Sequence, residues 1–290
     1  MLKPINQFLS TDKTTLPIEY KNHPLIADLN LTDKEFKQHF GAIMHMIQQY
    51  SNALTDNPNN EVRFQTKLIR DQNNKLQLIS FVTPETNFLY RIRSHYSLRD
   101  FPDRNLNILL DKKSIGSLVD SNKKKILNHY LSVLKEPLKS HGAYVYGDVG
   151  VGKTFTAIAL ANELANRELD VAFINCADIG YKLKQGFSDE NHSNDIVVSK
   201  MRNADVLFLD DIGAEDEKIW FYNNYLMIVL NYRMDHNKLT FFTSNLSIDY
   251  LNKKLSILMH GSFNAQRFIE RIRALVKNQQ FRITGPSRRY

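Results

Sequence analysis

The chain has 290 residues, with 38 Lys+Arg against 31 Asp+Glu, a formal net charge of +7, 42% hydrophobic and 24% charged residues. That length suits two domains, each large enough to bury a core, and the ordinary composition excludes a wholly disordered chain. One cysteine, Cys176, excludes an intramolecular disulfide and a multi-cysteine zinc site, and it fits a reducing compartment. No apolar run reaches the ~18 residues that a membrane helix needs; the longest spans 225–230. Met1-Leu2-Lys3-Pro4 lacks the pattern of a secretory leader, so the expectation is a cytoplasmic protein without membrane contact. A pI near 9.2 is compatible with nucleic acid and does not establish it.

Pro4, Pro17 and Pro24 among polar residues predict an irregular start. Thr32-Asp33-Lys34-Glu35 then has capping-box spacing, in which a hydroxyl and a carboxylate satisfy the free amides of a helix start. Phe36, Phe40, Ile43, Ile47, Tyr50 and Leu54 follow at helical spacing, as a core stripe or a docking face. Asn57-Pro58-Asn59-Asn60 ends that helix. Residues 62–69 and 75–82 are rich in β-formers around a polar stretch at 70–74, which predicts a hairpin. Residues 1–95 are therefore expected to form a small α+β domain, and 96–122, with Arg99-Asp100-Phe101-Pro102-Asp103, a linker.

Residues 126–138 read as a helix, with Lys123-Lys124-Lys125 as its solvated start and Pro137 and Gly142 marking its end. Short apolar runs at 143–146, 171–174, 206–209 and 240–243 then alternate with helical stretches. That alternation predicts an α/β domain over 123–290, built on a parallel, helix-covered sheet.

Gly147-Asp148-Val149-Gly150-Val151-Gly152-Lys153-Thr154 fits G-x-x-x-x-G-K-[ST] between a predicted strand and a predicted helix, the context a phosphate loop requires. Glycines let backbone amides curl round phosphates, and the helix presents its positive end to them. Lys153 is expected to reach the β- and γ-phosphates of a nucleotide, and the Thr154 hydroxyl to ligate Mg²⁺. Further on, the strand at 206–209 runs into Asp210 and Asp211. Asp210 suits the Mg²⁺ hydration shell, and Asp211 suits orienting or deprotonating a water. Asn245 ends a third strand, where polar residues border the ligand crevice of α/β sheets, and could hydrogen-bond the γ-phosphate or the water. Arg267 and Arg271 share one helical face. Residues 261–290 carry seven basic side chains against Glu270, so most of the excess charge sits in that tail.

From Tyr144 onward the sequence resembles the ATPase domain of bacterial replicative-helicase loaders of the AAA+ superfamily, the DnaI, DnaC and IstB-like group. The likeness rests on 147–155, 207–215, Tyr232-Arg233-Met234, 241–245, 267–273 and 285–289, and Leu209-Asp210-Asp211-Ile212-Gly213-Ala214-Glu215 is especially close. It implies an AAA+ P-loop core with a vestigial lid, binding ATP and Mg²⁺ through residues 147–155, Phe155 included. Asn245 matches sensor 1, Arg288 matches sensor 2, and Arg271 matches the arginine finger that acts on a neighbouring subunit's ATP, with Arg267 as the alternative. The family's function, placing a hexameric replicative helicase on single-stranded DNA, implies those two partners and self-association with ATP bound. By the same likeness the N-terminal domain grips the helicase. The family's N-terminal domain also holds a cysteine-rich zinc site, for which this chain has only Cys176, so zinc is not expected. Asp-Asp in place of the Asp-Glu of many AAA+ proteins suggests slow hydrolysis.

Between Asp178 and Arg202, where initiator-type AAA+ proteins carry an extra helix, Tyr181, Lys182, Lys184 and Lys200 could meet DNA phosphates or form a plain solvated helix. Three other functions fit less of the pattern: an IstB-like transposition ATPase, a small-molecule kinase and a nucleotide-independent interaction protein.

Overall fold

The computed structural model describes residues 20, 22–54, 64–82, 84–110, 121–179, 193–214, 221–259 and 262–287. The chain divides into two compact units, Met1–Asn87 and Phe88–Tyr290.

In the first unit, helix α1 (Asp33–Leu54) packs on the antiparallel hairpin of β1 (Phe64–Arg70) and β2 (Leu76–Val82). The capping box forms as its spacing predicts: Thr32 N donates to Glu35 Oε2 at 2.9 Å, and Glu35 N donates to Thr32 Oγ1 at 3.3 Å. Phe36, Ile43, Met46 and Ile47 are buried with Tyr20, Ile26, Leu68 and Leu76, so over these positions the stripe is core rather than a docking face. Each such side chain contributes ~1.5–3 kcal/mol on leaving water. Tyr50 and Leu54 at the end of the stripe, and Val62 before β1, have no described side chain. The turn at 71–75 is closed by the Asp71 carboxylate, which accepts from Asn73 N and Lys75 N, both at 2.9 Å.

One contact in this unit had no local signature. Arg70, at the end of β1, forks onto Glu35 through Nη1 at 2.9 Å and Nη2 at 3.2 Å, while its Nε donates to Leu29 O at 3.0 Å. The helix cap is thereby tied to the hairpin. The Arg70 hydrogen bonds, with those from Thr32, hold the Glu35 carboxyl down to about 2.

Helix α2 (Pro84–Ser94) leads into the second unit. There β3 (Tyr96–Arg99), β4 (Tyr144–Gly147), β5 (Val171–Asn175), β6 (Val206–Asp210), β7 (Leu239–Ser244) and β8 (Gln280–Ile283) form one parallel sheet in the order β3-β5-β6-β7-β4-β8. Helices among its described residues include α3 (Ser121–Lys135), α4 (Lys153–Asn166), α5 (Ser193–Asn203), α6 (Met227–Asp235), α7 (Ile248–Leu258) and α8 (Ser262–Val276).

Strand alternation sorts the core into two layers. Phe173, Phe208 and Phe241 face α3 and α4, their rings stacked at 5.5 and 4.8 Å. Leu207, Leu209 and Phe242 face the layer holding Leu230, Leu255, Phe268 and Ile272. Arg233 of α6 is fully buried there, donating to Thr240 Oγ1 at 2.9 Å and to the carbonyls of Met201, Ala204 and Leu239 at 3.0, 2.8 and 2.7 Å. Burial pulls its pKa down to about 9, and the nearby charges of Asp205 and Asp170 oppose that fall.

The stretch expected as a linker contributes to this unit, and the division falls after Asn87 rather than near residue 95. Tyr96 to Arg99 form an edge strand paired with β5. Four residues with Ser97 and Arg99 interleaved are too short for a periodic signal, and the partner strand lies far along the chain.

The Glu35–Arg70 fork sets a pH dependence. A carboxyl depressed in the folded state stabilises fully above its unfolded pKa, and that contribution is lost as pH falls toward 2. Following the Glu35 carboxyl by NMR should give a midpoint near 2 in the wild type. In Arg70→Ala the midpoint should return toward the ordinary value of about 4.3, and hydrogen exchange should quicken in α1 and the hairpin while the six-stranded sheet keeps its protection.

Candidate functional site

The loop from β4 to α4 closes tightly because its glycines adopt conformations that side chains resist. Gly147 has φ 151°, and a Cβ there would lie 2.0 Å from the carbonyl oxygen of Ile283 in β8. Gly150 has φ 85°, and its added Cβ would lie 2.3 Å from Ser287 Oγ. Between them Asp148 and Val149 are exposed; beyond them Val151 is buried, Gly152 caps α4 and Phe155 is exposed on its first turn. Lys153 is 7% exposed, and its Nζ donates to Gly147 O and Asp148 O at 2.9 Å and to Asn245 Oδ1 at 2.7 Å.

Two short hydrogen-bond chains meet beside this loop. In one, Asn245 links Lys153 to the second acid, its Nδ2 donating to Asp211 Oδ1 at 2.9 Å. In the other, Thr154 Oγ1 donates to Asp210 at 3.0 and 3.1 Å, and Thr243 Oγ1 donates to Asp210 Oδ1 at 2.5 Å. Burial raises the Asp210 pKa, and the two hydroxyls oppose that rise. Asp211 sits in the left-handed region at φ 55°, with its N–H held by Thr243 Oγ1 at 2.9 Å. Strain of that kind persists only where surrounding bonds fix it. Thr243 therefore serves both acids at once. It lies in the run that drew attention to Asn245, but nothing in the sequence separates its hydroxyl from those of Thr240 and Ser244 in the same strand.

A cavity of about 570 Å³ opens over the loop. Residues 149–156, Asp211 and Asn245 line one part of it, and Ile108, Leu109, Leu110, Ile126, Leu127 and Tyr130 form an apolar wall. Half of that wall comes from the segment expected to be a linker. A buried amide holds it in place: Asn162 Nδ2 donates to Asn105 O at 2.8 Å and Ile108 O at 2.9 Å, and Asn162 Oδ1 accepts from Tyr96 Oη at 2.7 Å. Lys123, expected to be a solvated helix start, lines the cavity as well.

Arg271 lies apart from these groups. Its Nε donates to Asn231 Oδ1 at 2.6 Å and its Nη1 to Arg267 O at 2.7 Å, so it is braced across α6 and α8 and does not line the cavity. Arg267 is exposed one turn away. Arg288 falls outside the described residues, as do Tyr181, Lys182 and Lys184, whereas Lys200 is exposed on α5.

A cavity with an amide-rich loop, a lysine and hard oxygen donors at one end and an apolar wall at the other suits a nucleotide with a divalent cation. Comparisons with known proteins agree. A family model described as IstB-like ATP binding protein matches residues 139–258. The replicative helicase loader DnaI of Bacillus subtilis is 33% identical over 177 residues, 59% of this chain and 56% of DnaI. The replicative helicase loader DnaC of Escherichia coli is 32% identical over 89 residues, 31% of this chain and 34% of DnaC. The chain thus spans about half or less of the length of these curated relatives. A crystal structure of DnaI is 30% identical with a TM-score of 0.56, covering 69% of this chain and 100% of that one. A primosome component from Streptococcus pyogenes serotype M3 is 27% identical with a TM-score of 0.55, covering 69% and 98%. No described helix is long and apolar enough to cross a membrane.

The Asn162 clamp gives a stability prediction. Asn162→Leu leaves two carbonyls and a buried tyrosine hydroxyl without these partners, a loss of about 2–4 kcal/mol. Chemical denaturation should register it, and limited proteolysis should cut first within 100–110.

Proposed function

Because the chain belongs to the DnaI-type family of replicative helicase loaders within the AAA+ ATPases, we propose that it is an ATP-dependent loader that places a hexameric replicative helicase on single-stranded DNA. The observation that carries this reading is the meeting of the Lys153–Asn245–Asp211 and Thr154–Asp210–Thr243 chains beside the phosphate loop. Backbone amides of 147–155 would cradle the phosphates, and Lys153 Nζ would exchange its loop carbonyls for β- and γ-phosphate oxygens. Thr154 Oγ1 and the Asp210 carboxylate, already facing each other, are hard oxygen donors that fit Mg²⁺. The ion would supply charge neutralisation along the phosphate chain.

Asp211 would orient or deprotonate the attacking water, a role its position in the cavity lining supports. Asn245 acts as sensor 1 and registers the γ-phosphate, a role its bonds to both Lys153 and Asp211 support. In this reading Arg288 is sensor 2. Arg271, braced away from its own subunit's cavity, is the finger offered to a neighbour, with Arg267 as the alternative. Hydrolysis is slow and Mg²⁺-dependent, so the protein works as a switch. A coupling of ~1–3 kcal/mol between ATP and the helicase or DNA is enough for that role. The N-terminal unit grips the helicase and the ATPase unit meets single-stranded DNA, in the cytoplasm. A transposition-associated role of the IstB kind is disfavoured. The DnaI likeness runs for 177 residues, beyond the 120 of the shared IstB-like region at 139–258.

Lys153→Ala should abolish ATP binding and loading; unchanged affinity in calorimetry would remove the site assignment. Arg271→Ala should keep ATP binding and lose the turnover that depends on assembly, whereas unchanged turnover would move the finger to Arg267. Co-purification with the host's replicative helicase, with and without ATP, tests the function itself. Capture of a transposase instead of the helicase would overturn it.

A further inference from the structure

On α3, Lys123, Ile126, Leu127 and Tyr130 all line the cavity, and their spacing of three, four and seven residues puts them on one helical face. That face is a continuous ridge whose deep end is the buried ring of Tyr130 and whose outer end is an ammonium group. Lys123 is half-buried, unlike the exposed Lys124 and Lys125 beside it. Its Nζ stands 3.2 Å from the position a Cβ would take on Gly285, beside the segment that follows β8. Two residues on, Ser287 packs against Gly150 of the phosphate loop. Lys123 and the phosphate loop thus border the same short piece of chain.

The sheet order fixes which flank this is. The loop springs from β4, with β7 and β6 on one side and β8 on the other. Asp210, Asp211 and Asn245 stand at the ends of β6 and β7. Lys123 comes from α3, which packs against β8, and Ile283 of β8 lines the cavity with it. Among the described lining residues the charged ones are Lys123, Lys153 and Asp211. A phosphate chain lying in the loop would have the acids on one side and Lys123 on the other. The ammonium is a compact point charge on a four-carbon stem, suited to meeting phosphate oxygens from a wall several ångströms away.

We infer that Lys123 is a second cation of the nucleotide site, contacting the phosphates of the bound nucleotide from the flank opposite the two acids. The inference rests on the reading of the cavity as an ATP site and adds to it a binding residue outside every motif. Its contact is with the phosphates rather than the base, so it should be felt by ATP and ADP and not by adenosine.

The test is calorimetric binding of ATP, ADP and adenosine to the full chain, comparing wild type with Lys123→Ala, Lys123→Met and Lys123→Arg. Lys123→Met keeps the length and packing of the stem and removes the charge. ATP and ADP should bind about tenfold more weakly to the Ala and Met variants and within about threefold of wild type to Arg. Adenosine affinity should not change. ATP bound by Lys123→Met as tightly as by wild type would overturn the inference and leave the ATP site standing. A loss for adenosine equal to that for ATP would also overturn it, since Lys123 would then be wall rather than phosphate ligand. Wild-type protein that binds no ATP would sink the site reading, and this inference with it.

Discussion

A carboxylate buried at the end of a parallel strand is costly unless donors or a cation meet it, and Asp210 is the point on which this site turns. Thr154 answers it from the first turn of α4 and Thr243 from β7, so the phosphate-loop helix and two adjacent strands share one small polar knot. Burial still leaves the group reluctant to carry its charge. A divalent cation would remove that reluctance, so the proposed Mg²⁺ site would coincide with the knot. Thr243 gives the knot its reach, since its hydroxyl also fixes the strained backbone of Asp211.

Elsewhere the same device works without chemistry. Asn162 fastens the 96–110 segment to the phosphate-loop helix, and Arg233 gathers carbonyls from the end of α5 and the start of β7. Both side chains are polar, fully buried and supplied with bonds, the condition under which burying them is tolerated. Stacked Phe173, Phe208 and Phe241 supply apolar adhesion between these fixed points. The apolar end of the cavity therefore inherits its shape from polar contacts at its back.

Much of this was legible because it is local. The phosphate loop, the acids at the end of β6, the capping box at Thr32 and the hairpin around 71–75 are each written within a few consecutive residues, where spacing alone implies geometry. What stayed hidden depends on chain brought from afar. β3 exists because β5 lies beside it, Arg70 matters because Glu35 is opposite, and nothing near Asn162 announces the carbonyls it will meet. Lys123 misled for a related reason. Three lysines in a row read as solvent-facing, and only the helical phase relative to Ile126 and Tyr130 separates the first from its neighbours.

The primary amide at Asn245 stands between an amine and a carboxylate, and it can serve both only one way round. Lysine offers no acceptor and a carboxylate offers no donor, so oxygen must point to Lys153 and nitrogen to Asp211. An aspartate there would face its neighbour's charge, a leucine would meet neither, and a rotated amide would lose both bonds together. The link is therefore polarised, like a plug that fits its socket in a single orientation. Drawing the lysine away would free the oxygen end while the nitrogen end still held the acid, so the two bonds of this one amide can part separately.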